Sequence, residues 1–209
     1  MDPAKALLDD FITSKDNTTK LGAAIGLGLA YAGTAREDLQ EILCEIITDM
    51  DLGPETSAFA AVSLGLIFVG TCDEEVSNTI LSVILGRTEA ELNQVASRFY
   101  LTGLALNYLG QQEKAEACIE SLEIIEHPIA AYAQLCVEAA AFIGSGNVLK
   151  VQQFLKKCIP HETEEFKTLP QAMAVLGIAF VSISEPIGNE MALRSLHHIL
   201  QYCELPVKR

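Results

Sequence analysis

Gly26-Leu27-Gly28-Leu29-Ala30-Tyr31-Ala32-Gly33 returns in the same small, apolar and aromatic columns as Ser63-Leu64-Gly65-Leu66-Ile67-Phe68-Val69-Gly70 and as Gly103-Leu104-Ala105-Leu106-Asn107-Tyr108-Leu109-Gly110. Two weaker copies follow: Val137 to Gly144, with Phe142 in the aromatic column, and Gly177 to Ser184, where Ser182 replaces the aromatic. The end points 33, 70, 110, 144 and 184 lie 37, 40, 34 and 40 residues apart. A period of roughly 20 to 50 residues marks an array of one repeated supersecondary unit. Function is therefore expected on a repeat surface, not in the pocket of a single core.

Working outward from these columns, the chain reads as alternating helices. A first helix opens with Asp2 as N-cap and Pro3 at the first helical position and runs to about Thr13, because proline's missing N–H costs nothing there. An apolar, Gly- and Ala-rich set is expected at about 18–32, 54–69, 91–109, 128–143 and 169–183. An amphipathic, acidic set is expected at about 35–49, 73–86, 111–124, 147–158 and 187–203. Thr34 with Glu37, Thr71 with Glu74 and Thr88 with Glu91 read as capping boxes, and Pro54, Pro128 and Pro170 as helix starts. Leu39, Ile42, Leu43, Ile46 and Ile47 recur at i, i+3, i+4, i+7 and i+8, as do Val76, Thr79, Ile80, Val83 and Ile84. That spacing buries one face and leaves the other wet, so these are outer helices. The Gly/Ala set has no such polarity and is expected inside. Each interior glycine costs roughly 1 kcal/mol of helix propensity relative to alanine, a cost that makes sense where backbones meet closely.

Half of the 209 residues are hydrophobic and 20% are charged, enough apolar surface for a continuous core shared by stacked repeats. The longest apolar or small stretches, Leu21 to Gly33 and Ala58 to Gly70, have 13 residues each, whereas a bilayer span takes roughly 20; no membrane association is expected. The formal charge of −14, with 28 acidic against 14 basic residues, repels a phosphate backbone, so no nucleic-acid partner is expected and a basic protein surface is. Six cysteines (Cys44, Cys72, Cys118, Cys136, Cys158 and Cys203) form no CxxC pair and no CxxC…HxxxH arrangement, so no metal or other cofactor is expected and the thiols read as small hydrophobes in a reducing compartment. Met1 leads directly into Asp2-Pro3, with no signal-peptide pattern.

The hairpins, with glycine ending the first helix, small residues five and seven positions earlier and an aromatic two positions earlier, resemble the proteasome/cyclosome repeat family along nearly the whole chain. Within that family, Leu27-Gly28-Leu29-Ala30-Tyr31-Ala32-Gly33, Val69-Gly70-Thr71-Cys72, Gly144-Ser145-Gly146-Asn147-Val148-Leu149-Lys150-Val151-Gln152-Gln153, Ala174-Val175-Leu176-Gly177-Ile178-Ala179 and Glu190-Met191-Ala192-Leu193-Arg194 look like the ring-shaped ubiquitin-receptor subunits of the proteasome regulatory particle. The resemblance implies an all-α solenoid of about five hairpins, part of a closed toroid. As one domain over 1–209, its repeats would fall at approximately 16–52, 53–88, 89–126, 127–161 and 168–204. It implies a non-catalytic scaffold, cytoplasmic and nuclear. The implied partners are ubiquitin, ubiquitin-like domains of shuttle receptors, a deubiquitinase, the proteasomal ATPase subunits and other regulatory-particle subunits. A sister ring subunit, an anaphase-promoting-complex subunit and a generic helical-repeat adaptor remain the alternatives.

The resemblance also implies a receptor surface on three outer helices, about 35–49, 73–86 and 111–124. Three acidic family positions on the middle helix fall on Glu75, Ser82 and Gly86, of which only Glu75 keeps its charge. The implied ubiquitin-binding set is Asp38, Glu41 and Glu45, then Glu75, Thr79 and Ser82, then Glu113, Glu116 and Glu120. A second departure is the short connection His161 to Leu169, where relatives often carry a long charged insertion. The first helix lacks an inner partner and the sequence stops just after a helix, so a fragment with apolar ends is expected. Other patterns read more plainly. Gly26-Leu27-Gly28 with Gly33 has the wrong spacing for a dinucleotide fingerprint. Gly144-Ser145-Gly146 reads as a turn with Asn147 as N-cap more readily than as a phosphate nest. His197 and His198 face about 100° apart on a helix and share a metal poorly, His127 and His161 read as surface or packing residues, and no nucleophile–base pair stands out.

Overall fold

The computed structural model describes residues 2–158 and 168–202. The connection expected between His161 and Leu169, the side chains of Thr168 and Ile187, and Cys203 with the residues beyond it lie outside the described set, apart from Leu169. The fold is all-α, with no strand among the described residues. Helix α1 covers Pro3–Ile12, α2 Asn17–Ala30, α3 Glu37–Thr48, α4 Pro54–Ile67, α5 Glu74–Gly86, α6 Glu89–Leu92 and α7 Arg98–Asn107. Then follow α8 Glu116–Leu122, α9 Ile129–Ala141, α10 Val148–Lys157, α11 Thr168–Ser182 and α12 Pro186–Tyr202. Contacts divide the chain into two compact units, Met1–Tyr108 and Leu109–Arg209.

In the first unit, α2, α4 and α7 lie side by side as the inner row, and α3 and α5 cover α4 and α7. The inner row is packed backbone on backbone. A β-carbon added to Gly28 would stand 2.6 Å from Ser63 Cα, and one on Gly65 2.7 Å from Gly103 Cα. The columns of small residues are thus the contact surface between neighbouring inner helices. The outer helices bury the stripe that their spacing predicts: Leu39, Leu43, Ile46 and Ile47 on α3, and Val76, Ile80, Val83 and Ile84 on α5. In the second unit α9 packs on α11, α10 on α11, and α8 on α9. There Gly177 faces the Phe154 ring, whose nearest atoms would lie 3.0 Å from an added β-carbon.

The repeat has a second, polar signature. After α2, α4, α7 and α9 a glycine takes a positive φ (Gly33 +73°, Gly70 +68°, Gly110 +74°, Gly144 +66°), a left-handed conformation that costs other residues roughly 1–2 kcal/mol. The turn then aims its N–H groups at the C-terminal carbonyls of the following inner helix: Gly33 N to Leu66 O at 2.9 Å, Ala35 N to Ile67 O at 3.0 Å, Gly70 N to Leu106 O at 3.0 Å, and Cys72 N to Asn107 O at 3.0 Å. The second unit repeats it, with Gly110 N to Ala140 O at 3.0 Å, Gly144 N to Phe180 O at 2.8 Å and Gly146 N to Val181 O at 2.9 Å. Carbonyls at a helix end have no partner within the helix, so each turn supplies what its successor lacks. The aromatic column, Tyr31, Phe68, Tyr108 and Phe142, sits buried at the same four helix ends.

Several local expectations are corrected. Thr34 and Thr71 do not close capping boxes: their hydroxyls donate back to Tyr31 O and Phe68 O, at 2.6 and 2.9 Å. Arg36 occupies the cap position of α3, and Asp73 caps α5 by accepting from Val76 N–H at 2.9 Å. The Thr88–Glu91 box is present but opens only the single turn of α6. The expected helix over 91–109 is broken because the Ser97 hydroxyl donates to Glu91 O at 2.6 Å, a side-chain bond that competes with helix continuation; a 3₁₀ turn, Val95–Ser97, precedes α7. The helix expected over 111–124 starts only at Glu116, after a 3₁₀ turn whose Gln112 has φ +50°. Pro54 does begin α4, Pro128 is the cap residue of α9, and Pro170 stands third in α11.

Candidate functional site

The acidic residues of α3 and α5 come together on the solvent side of the first unit, because the same 3.6-residue period that buries Leu39, Leu43, Val76 and Ile80 turns Glu37, Glu41, Glu45, Glu74 and Glu75 outward. Between the two helix starts lies a groove of about 390 Å³ lined by Ala35, Glu37, Gln40, Glu41, Phe68, Thr71, Asp73 and Glu75. Among the described residues four carboxylates line it and no lysine or arginine does. Such a groove attracts a guanidinium or ammonium group and raises the encounter rate with a basic partner.

Asn107, missed in the sequence, holds this groove in shape. Its side chain is fully buried at the end of α7 yet makes four hydrogen bonds. Its Oδ1 accepts from Thr71 Oγ1 at 3.0 Å and from Asp73 N–H at 3.1 Å, and its Nδ2 donates to Asp73 O at 2.8 Å and to Ser77 Oγ at 2.9 Å. The start of α5, and with it Glu74 and Glu75, is clamped to the inner row. The available signal was an amide side chain in a column that elsewhere holds Ala30, Ile67, Ala141 and Val181.

The other sequence-derived residues divide clearly. Asp38 is not a free carboxylate: Lys5 Nζ lies 2.6 Å and Arg36 Nη2 2.7 Å from its Oδ2. Hydrogen bonds from Arg36, then from Lys5, hold its carboxyl well below the usual carboxylate range. Arg36 also pairs with Asp2, whose carboxylate accepts from the Tyr31 hydroxyl. Those bonds lower the Asp2 carboxyl from 3.8 to about 2. Glu41 and Glu75 line the groove, and Glu45 is exposed further along α3. Thr79 is half-buried beside Cys44, and Ser82 is exposed with its hydroxyl donating to Thr79 O at 2.8 Å. Glu113, Glu116 and Glu120 belong to the second unit and are exposed, Glu113 in the 3₁₀ turn and the other two on α8. Burial raises the Cys44 thiol and pushes Cys136 up to about 12, which keeps both protonated and unreactive. Among the described residues no group of three His, Cys, Asp or Glu side chains is placed to hold a metal ion, and no helix is long and apolar enough to cross a membrane.

Inner helices in backbone contact, positive-φ glycines after α2, α4, α7 and α9 and the acidic outer helices α3 and α5 define a helical-repeat protein of the kind the small-residue columns resemble. No family model matches the chain. Curated relatives do. The chain is 39% identical over 215 residues to the 26S proteasome regulatory subunit rpn-1 of Neurospora crassa, and 40% identical over 209 residues to the 26S proteasome non-ATPase regulatory subunit 2 of Dictyostelium discoideum. Each match covers 100% of this chain, and 24% and 23% of the relative. Similarity to the non-ATPase regulatory subunit 1 homolog B of Arabidopsis thaliana is weaker, 28% over 181 residues. Over its whole length the chain is homologous to the 26S proteasome regulatory subunits named rpn-1 or non-ATPase subunit 2, and it spans about a quarter of their length.

Proposed function

We propose that this chain is a non-catalytic receptor and scaffold segment of the proteasome regulatory particle, which binds ubiquitin and ubiquitin-like domains on its outer helices. The observation that carries this reading is the groove between α3 and α5, where Glu37, Glu41, Asp73 and Glu75 converge with no lysine or arginine among the described lining residues, in a chain homologous throughout to proteasome regulatory subunits. A basic side chain of a small domain enters the groove, and the exposed carboxylates of α3 steer it there. Glu113, Glu116 and Glu120 of α8 extend the receptor surface if the repeats 16–52, 53–88, 89–126, 127–161 and 168–204 continue as one array. The proteasomal ATPase subunits, other regulatory-particle subunits and a deubiquitinase are the further partners of the scaffold, in cytoplasm and nucleus.

Titration of the ¹⁵N-labelled chain with ubiquitin tests this directly. The amides of Glu41 and Glu75 are expected to shift, and Glu75→Arg to weaken binding roughly tenfold, a change of about 1.4 kcal/mol. Equal binding by the wild type and the variant would remove the groove from the site.

A further inference from the structure

The outer helices of the first unit open with two exposed carboxylates, at the fourth and fifth residues after the turn glycine: Glu37 and Asp38 after Gly33, Glu74 and Glu75 after Gly70. After Gly144 the same two positions hold Val148 and Leu149, 64% and 69% exposed at the start of α10. The inversion continues along the helix. Where α3 carries Glu45, α10 carries Lys156 at the matching position, and α10 has no acidic residue. Its exposed residues form two rows at i, i+4 and i+8, Val148–Gln152–Lys156 and Leu149–Gln153–Lys157. Residues four apart are neighbours on a helix surface, so apolar, amide and ammonium groups follow one another along one face, about 12 Å from end to end.

The opposite side of α10 holds that face in place. Phe154 is fully buried with its ring against Gly177 of α11. Asn147 Oδ1 accepts from the Leu149 and Lys150 N–H groups at 3.0 and 3.3 Å, and Gln171 Nε2 donates to Cys158 O at 2.6 Å. The third lysine is turned inward: Lys150 Nζ lies 2.5 Å from Glu138 Oε1 and 4.5 Å from the centre of the Phe142 ring. Among the described residues Lys156 and Lys157 enter no ion pair.

We propose that the exposed face of α10 is a docking surface for an acidic amphipathic helix of a partner protein, which sets carboxylates against Lys156 and Lys157 and apolar side chains against Val148 and Leu149. Charge complementarity selects the occupant, and the groove between two i±4 rows accepts a helical ridge. Helix dipoles set the direction. Carboxylates are favoured at a helix N-terminus, and the two lysines stand at the C-terminus of α10. The partner therefore runs antiparallel, with its carboxylates about two turns before its apolar pair. An anionic membrane is the poorer occupant, because only two lysines would meet it on a chain of charge −14. This face is independent of the acidic groove, which selects cations.

The test is a displayed library of helical peptides, panned on the 209-residue chain and counter-selected on the double variant Lys156→Glu, Lys157→Glu. Enriched peptides are expected to carry paired carboxylates about two turns before an apolar pair, to shift the Val148, Gln152 and Lys156 amides of the ¹⁵N-labelled chain, and to bind the double variant roughly tenfold more weakly. Val148→Glu with Leu149→Glu restores the carboxylates of the other outer helices, which a helix N-terminus favours. Helical circular dichroism and Tm are expected to hold in that variant while peptide binding falls roughly tenfold. Glu75→Arg is expected to leave peptide binding unchanged. No enriched peptide, enrichment without carboxylates, full binding by either double variant, or shifts of the α10 amides by anionic vesicles and by no peptide would each overturn the docking surface. None of these outcomes touches ubiquitin binding at the groove, which is measured separately.

Discussion

A β-carbon on Gly65 has no room, since Gly103 Cα would be 2.7 Å from it and belongs to a helix backbone that cannot rotate away. Gly65→Ala is therefore expected to destabilise the first unit by about 3 kcal/mol, seen in a thermal melt as a fall in Tm of roughly 10 °C. Gly22 is the control, because nothing lies within 4 Å of its β-position; Gly22→Ala is expected to gain about 0.5–1 kcal/mol from helix propensity alone. Asn107 shows the polar counterpart. Asn107→Leu leaves the partly exposed Thr71–Asp73 turn without its partners, at about 1–2 kcal/mol, and the Asp73 amide is expected to lose its protection from hydrogen exchange. The glycine columns were legible in the sequence because close packing restricts residue type at a fixed period. Asn107 was not, because one amide in an apolar helix does not announce which backbone groups it will reach.

Helix α1 is fastened to α2 and α3 by polar groups more than by its own burial: Ile12 is its one buried residue, while Lys5 reaches Asp38, and Asp2 reaches both Tyr31 and Arg36. The Asp2 carboxyl titrates at about 2 in the folded chain against an ordinary 3.8, and Asp38 is depressed in the same direction. A depressed carboxyl contributes stability that is fully present above its ordinary value and is lost as pH falls through its folded value. The α1 amide signals are therefore expected to move as pH is lowered from about 4 towards 2, and Asp2→Asn to produce the same loosening at neutral pH. This cluster also explains why the outer face is less uniformly acidic than the spacing suggested. The helix period placed Asp38 outward correctly, but Lys5 and Arg36 come from a helix and a turn whose approach no periodicity encodes. Helix ends were misread for a related reason: Thr34, Thr71 and Ser97 had carbonyl partners nearer than the N–H groups that a cap requires.

Across the whole molecule the formal charge is −14, and it sets association kinetics more than affinity. The rate at which a basic partner domain binds is expected to fall roughly tenfold between about 0.01 and 0.15 M salt, as the screening length shrinks from about 30 to 8 Å, with dissociation nearly unchanged. Stopped-flow mixing checks this; a salt-independent rate would mean that the carboxylates of α3 and α5 take no part in encounter. The fold class was readable at this scale because five copies of one pattern repeat the same instruction. The candidate acidic surface was readable only in part, since exposure and charge fix where a partner is favoured, while the clamp on α5 emerges only from packing. The turn hydrogen bonds run one way, from Gly33 forward to Leu66 and from Gly70 forward to Leu106. On the ribosome, then, a hairpin emerging from the exit tunnel is left incomplete until the next inner helix has been translated. Such a chain matures as a zipper trailing synthesis by one hairpin, and a stalled chain always presents an unfinished turn at its newest end.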